Sequence, residues 1–407
     1  MKKVLFTVAL LFGAFVASAQ VSVVKEAKAN MKKDAAGAAK MIEQALTNPE
    51  TANDPNTWQV AGDIQKAMYD EENMKMYLPG GQADTAKLYN SLVQMFEYYF
   101  KCDEVEQAKV ASGELKKPKL RKKNADALLK LRPNLLNGGI DAFNVNNYES
   151  AQKYFGLYVD VIDNPMFADQ AEVLKADTLN ALYANYATMA AGLREPKDVD
   201  AVIKYGTIGK ESQSEGWRGL MFMAQVYADN DQDKWLEVIK EGAQRFPEQD
   251  FFVGNIMDHY LQKGMIDEGL AQIDQLIAAR GETAYYLYVK GFLLYENKDY
   301  AAAHAELDKV IAIGGELAAE AYAKKGDCYF FPAQKIVEEN SSLSIEDPKY
   351  NSNEAKIKEA YEKAKPFYEK AKELEPDNKQ IWGQMLLRIY WTLNKAEYEA
   401  LEKEMGY

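Results

Sequence analysis

The sequence predicts an all-α fold, a solenoid of antiparallel helix pairs in about 7–8 irregular repeats. Three observations predict it. The stretch from Gly291 to Val310, GFLLYENKDYAAAHAELDKV, is two amphipathic pieces on either side of a polar turn. The small residues Gly291 and Ala303 stand where two such helices have to approach closely. The pattern then recurs at a constant step of 35 residues, from Trp217 to Phe252 to Leu287 to Tyr322. A helix pair that cannot bury its own apolar stripe is stabilised by a neighbour of the same kind, so a recurring pair implies a stack.

In chain order, residues 1–19 read as a signal peptide. Lys2 and Lys3 form a basic start, Val4 to Val16 is an apolar run, and Ala17-Ser18-Ala19 is a small-x-small cleavage signal. Cleavage is expected between Ala19 and Gln20, which makes the mature protein periplasmic or secreted. The apolar run is shorter than the roughly 20 residues of a spanning helix. No later run is longer, so an integral membrane protein is not expected.

Residues 20–133 are expected to hold the N-terminal repeats. Trp58-x-x-Ala61-Gly62 marks one of them, and a long insertion follows over 63–133. Within it, KKPKLRKKN gathers Lys116, Lys117, Lys119, Arg121, Lys122 and Lys123 ahead of a helix expected over Ala125 to Leu131. The run reads either as a solvated linker or as a patch for an acidic partner or an anionic surface glycolipid. Residues 134–404 are the main array. They begin with Leu135-x-x-Gly138-Gly139-x-x-Ala142 and Ala151-x-x-x-Phe155-x-x-Tyr158, and a further irregular place falls between Gly139 and Met221. After the regular steps, the stretch 331–355 is expected to be an insertion, with ENSSLSIEDPKYNSNE turn-forming and mobile. The array closes with Ala364-x-x-x-Tyr368-x-x-Ala371, Pro376 and Trp382-x-x-Met385-Leu386-x-x-Ile389.

These motifs resemble the tetratricopeptide repeat (TPR) family, whose signature is Trp-x2-Leu-Gly-x2-Tyr, Ala-x3-Phe and Pro over about 34 residues. The resemblance implies a right-handed superhelix whose concave face is lined by the first helix of each pair. Threading the chain on that pattern puts Phe143, Tyr260, Tyr285, Tyr288, Phe292, Tyr295, Phe330 and Tyr390 on or near that face. Carboxylate-clamp members of the family place Lys and Asn there to hold a peptide C-terminus. The matching positions here are Tyr288, Phe292, Ala323 and Asp327, so that motif is absent. An aromatic groove suits an apolar peptide, a partner helix or a sugar face; the alternative is that these rings are core. The Ala-x-Ala-Gln leader and the tyrosine-rich irregular array look like exported TPR proteins of Bacteroidota.

Composition narrows the function. A formal net charge of −13 argues against nucleic acid and anionic membrane as partners. Gly-x-Ser-x-Gly, a P-loop, His-Glu-x-x-His and Cys-x-x-Cys are all missing from the sequence. The two histidines, His259 and His304, stand 45 residues apart. No catalytic residue, cofactor or metal is therefore expected, and the chain is expected not to be an enzyme. Cys102 and Cys328 fall in different repeats and are expected to be unpaired, buried thiols. The expected function is an exported scaffold for protein–protein interaction, through an aromatic concave groove or through its insertions. A glycan-binding protein of the envelope is the alternative.

Overall fold

Short polar side chains open the helices. Asp54, Asp84, Asn147, Asp198, Thr283, Asp299 and Asp347 each accept a backbone N–H of the first turn. They satisfy donors that a helix start leaves free. The computed structural model describes residues 21–407, and helix is the only regular secondary structure among them. The stretch read as a signal peptide, residues 1–19, lies outside the described residues.

The helices pair as the periodicity requires. In order the pairs are 21–30 with Ala35–Thr47, Pro55–Tyr77 with Thr85–Ala111, Arg121–Asn144 with Tyr148–Asp160, and Asn180–Leu193 with Val199–Gly209. The helices Gly216–Tyr227 and Gln232–Arg245 follow, and then the pair Asp250–Gln262 with Ile266–Arg280. Ala284–Glu296 with Tyr300–Ile313, Ala318–Asn340 with Pro348–Leu374, and Lys379–Thr392 with Tyr398–Met405 complete the series. The chain forms two compact units, one up to Val238 and one from Ile239 to Tyr407. Each is a helical-repeat solenoid in which the second helix of a pair packs on the first helix of the next. Position 133/134, where the motifs divide the array, falls inside the helix Arg121–Asn144.

One turn recurs inside the pairs. Asn146, Gly264, Lys298 and Asn394 take left-handed φ values of 59°, 67°, 63° and 54°. In each case the next N–H reaches back five residues: Asn147 to Ala142, Met265 to Tyr260, Asp299 to Leu294 and Lys395 to Tyr390, at 2.8–2.9 Å. This closure satisfies the last carbonyls of the first helix and turns the chain antiparallel.

Two expectations need correcting. Residues 331–355 are mostly helical, with a turn only over 341–347. The helix Ala318–Asn340 runs through Pro332, and after a short turn Pro348 starts a helix that continues to Leu374. Phe330 and Ala333 on the first helix, and Ile357, Tyr361 and Ala364 on the second, each recur at helical spacing and are buried in one cluster, which holds the extension helical despite the proline. The helix expected over Ala125 to Leu131 instead runs Arg121–Asn144. Its start has no cap of its own. Glu106, from the preceding helix and 2% exposed, accepts the N–H groups of Lys119 and Leu120 there, at 2.8 and 3.0 Å. The irregular place between Gly139 and Met221 includes short 3-10 turns and a five-residue helix over 161–175.

Candidate functional site

In the second unit three consecutive first helices, Ala284–Glu296, Ala318–Asn340 and Lys379–Thr392, present residues to one open cleft of about 580 Å³. Ala284–Glu296 contributes Tyr288, Tyr295 and Glu296; Ala318–Asn340 contributes Glu320, Lys324, Asp327 and Phe331; Lys379–Thr392 contributes Ile381 and Met385. The spacing is that of a helix face. Tyr288, Phe292 and Tyr295 follow one another at i, i+4 and i+7, as do Glu320, Lys324 and Asp327.

The geometry inside the cleft is specific. Lys324 Nζ lies 2.8 Å from Asp327 Oδ2, 5.0 Å from the Phe292 ring centre and 4.8 Å from that of Tyr295. This is an ammonium held by a carboxylate and two π-faces. Asp327 in turn accepts the Tyr368 hydroxyl at 2.6 Å. Glu320 has no ion pair among the described residues. Burial pushes its carboxyl above the ordinary range, Glu375 adds to the shift, and Lys324 opposes it. Burial also pushes the hydroxyls of Tyr288 and Tyr295 up, with the nearby carboxylates acting in the same direction.

Of the expected groove residues, Tyr288, Phe292 and Tyr295 meet here. Tyr285 stands apart, its hydroxyl donating to the Asp250 carbonyl at 3.3 Å. Tyr260, Phe330 and Tyr390 are only 6%, 5% and 7% exposed. Phe330 stacks on Tyr361 at 5.2 Å and Tyr390 donates to Glu369 at 2.8 Å, so these two are framework rather than groove. Phe143, in the first unit, packs edge-on against Tyr148 and Tyr186 at 5.2 and 6.2 Å. The sequence reading missed Glu320, Lys324, Glu296 and Phe331. The first three look like ordinary solvated helix residues until the fold shows which face they share. Phe331 was assigned to the insertion, yet it is 42% exposed beside the cleft.

One member of the basic run is engaged and the others stand at the surface. Arg121 is taken up by Asp103 in a bidentate pair, with both bonds at 2.7 Å. Lys116, Lys117, Lys119, Lys122 and Lys123 remain exposed. Both thiols are buried and unpaired, and burial pushes each up to about 12. His304 is wedged between Tyr329 and Phe367, and burial lowers its pKa. Among the described residues no group of His, Cys, Asp and Glu has the makings of a metal site, and no helix is long and apolar enough to cross a membrane.

The first unit has clefts of another kind. One, of about 430 Å³, is lined by Tyr89, Asn90, Asp141, Asn144, Asn147 and Tyr154 among others. Tyr89 donates to Asp141 and Tyr154 to Asn90, each at 3.2 Å.

No family model matches the chain, and no curated protein does. Solved structures of helical-repeat proteins do match. A TPR repeats protein from Bacteroides fragilis is 16% identical, with 64% of this chain and 98% of that one covered and a TM-score of 0.33. Yeast Tom70 is 12% identical, with 95% and 91% covered and a TM-score of 0.28. The APC/C hetero-tetramer Cut9–Hcn1 is 12% identical, with 91% and 84% covered and a TM-score of 0.28. These are likenesses of architecture at low superposition. The assignment to TPR-like hairpins rests on the helix pairing, the small-residue contacts and the recurring turn of the chain itself.

Proposed function

We propose that the protein is an exported, non-catalytic scaffold that holds a segment of another protein in the cleft of its second unit and works in the periplasm. The observation that carries the reading is the convergence of Tyr288, Tyr295, Phe331, Ile381 and Met385 on one open cleft, with charged groups among them. Aromatic and aliphatic walls with a few placed charges are what a bound protein segment requires. The address is inferred from the leader-like residues 1–19 and their small-x-small site. The non-catalytic assignment follows from the absence of a recognisable nucleophile–base or metal-ligand motif in the sequence.

Two measurements test this. Crosslinking capture from the parent organism's envelope should yield a protein with the wild-type chain and lose it with Tyr288→Ala/Tyr295→Ala, at unchanged helicity. Equal capture by both baits removes the cleft from the reading. N-terminal sequencing of the protein from a periplasmic fraction should begin at Gln20; an intact Met1 in the cytoplasm removes the address.

A glycan-binding reading has one observation of its own, the tyrosine- and asparagine-lined cleft of the first unit, in which Asp141 is the single formal charge named above. Amides and hydroxyls of that kind suit sugar hydroxyls. Calorimetric titration with envelope oligosaccharides distinguishes it: heat that vanishes in Asn90→Ala/Asn144→Ala supports a sugar, and silence at millimolar concentration dismisses it.

A further inference from the structure

The cleft of the second unit already contains an ammonium, and that ammonium belongs to the protein. We propose that the cleft recognises a cationic side chain, a lysine or arginine on the bound protein segment, and that Lys324 holds the cation position while the cleft is empty. The inference rests on the reading of this cleft as a protein-binding site.

The charge balance gives the sign. Three carboxylates, Glu296, Glu320 and Asp327, line the cleft against the single ammonium of Lys324. Asp327 takes up that ammonium at 2.8 Å. Glu296 and Glu320 have no ion pair among the described residues, so two carboxylates remain for an incoming partner. Glu320 is half-buried, and burial together with Glu375 pushes its carboxyl up. A carboxylate destabilised in this way is one that an approaching cation stabilises.

The rings give the geometry. Lys324 Nζ lies 4.8–5.0 Å from the Tyr295 and Phe292 ring centres, which shows that a cation fits over these faces. The aliphatic stem of a lysine or arginine would lie along Phe331, Ile381 and Met385, in the way that long cationic side chains cover apolar surface while the head stays polar. An acidic tail finds no comparable site, because the lone cation of the cleft is already neutralised by Asp327.

The test uses the full mature chain and three fluorescent peptides of one apolar frame. The central residues are lysines in one peptide, glutamines in the second and glutamates in the third. By anisotropy the lysine peptide should bind about tenfold more tightly than the glutamine peptide, and the glutamate peptide most weakly. The lysine advantage should shrink with salt. It should also shrink as pH falls through the raised Glu320 titration, because a protonated carboxyl no longer attracts the cation. Glu296→Gln/Glu320→Gln should bring the lysine peptide down to the glutamine peptide, and Lys324→Gln should tighten the lysine peptide severalfold.

Equal affinity for lysine and glutamine peptides, both lost in Tyr288→Ala/Tyr295→Ala, overturns the cation inference and leaves the protein-binding reading standing. A preference for the glutamate peptide that disappears in Lys324→Gln overturns it in favour of an anion site. If no peptide binds at millimolar concentration, or the tyrosine variant changes nothing, both readings fall. The salt and pH arms need no variant, so they decide the matter even where a substitution perturbs folding.

Discussion

Two helix pairs, one in each compact unit, are built to the same measure. Pro55–Tyr77 and Thr85–Ala111 have 23 and 27 residues, and so do Ala318–Asn340 and Pro348–Leu374. Each carries a Gly-Asp pair on the first helix and a buried tyrosine on the second. A methyl group on Gly62 would meet the Tyr99 ring at 2.2 Å, and one on Gly326 the Tyr368 ring at 2.8 Å. The Tyr99 hydroxyl donates to Asp63 at 2.8 Å, and that of Tyr368 to Asp327 at 2.6 Å. Burial and the neighbouring carboxylate push both hydroxyls far above the ordinary tyrosine range.

The difference lies in what else the aspartate holds. Asp63 also accepts the neutral Gln59 amide at 2.9 Å, so its lock is a packing device. Asp327 also holds Lys324, so the same lock fixes a cation over two rings at the edge of a cleft. The same contact that serves only packing in the first unit positions a charged side chain at an open cleft in the second. Fold and site are thus separable here, as sites placed on a common scaffold generally are.

The comparison can be broken most forcefully at the glycines. Gly62→Ala should destabilise by about 2–3 kcal/mol and Gly326→Ala by about 1–2, after a gain of about 1 in helix propensity. Urea midpoints measure the order, and the reverse order would mean that the two locks are not tightened as the 2.2 and 2.8 Å contacts indicate.

A somewhat smaller effect should appear with pH, because the turns between the paired helices are tied differently. In the first pair Glu72, 1% exposed, accepts from Lys75, Lys87 and the Asp84 N–H at 2.8–3.0 Å. The Lys87 bond, ahead of the others, holds its carboxyl down at about 2. Its folded value lies below its unfolded one, so its stabilisation is complete above the unfolded titration near 4.5 and is lost as pH falls through about 2. Because both lysines are partly solvated, we expect about 2 kcal/mol at neutral pH. In the second pair the buried Asn340 amide donates to the Tyr350 carbonyl and to Glu354, and an amide does not titrate. Glu72→Gln should therefore flatten the acid limb of a stability–pH profile, whereas Asn340→Ala should lower the whole profile without changing that limb. An unchanged acid limb in Glu72→Gln would show that the cluster contributes nothing.

The smallest effect separates the two aspartates. Tyr99→Phe and Tyr368→Phe each remove one hydrogen bond and should cost about 1 kcal/mol. In peptide-binding assays only Tyr368→Phe should register, since only Asp327 positions a cleft residue. Equal binding by both variants would mean that the lock does not support the site.

The sequence alone was enough to reveal the helix pairs, because close packing requires small residues at equivalent places in each pair, as at Gly62, Gly139, Gly291 and Gly326. It also located the two long pairs, but as insertions. Pro332 and the run ENSSLSIEDPKYNSNE read as a loop, since local chemistry carries no record of the partners that bury Ile357 and Tyr361. Half of the cleft was legible for the same reason. Tyr288, Phe292 and Tyr295 stand out as rings on a first helix, while Glu320 and Lys324 resemble any charged pair on a solvated helix.

What the sequence by itself determined is periodicity: helices, their pairing across a short polar turn, and two unpaired thiols. These follow from spacing and from the conformational limits of single residues. Tertiary structure alone decided which of the aromatics are core, which carboxylate keeps a partner, and where an ammonium comes to rest. Burial and charge pairing are properties of neighbours brought together from distant repeats, and a residue's own identity does not contain them.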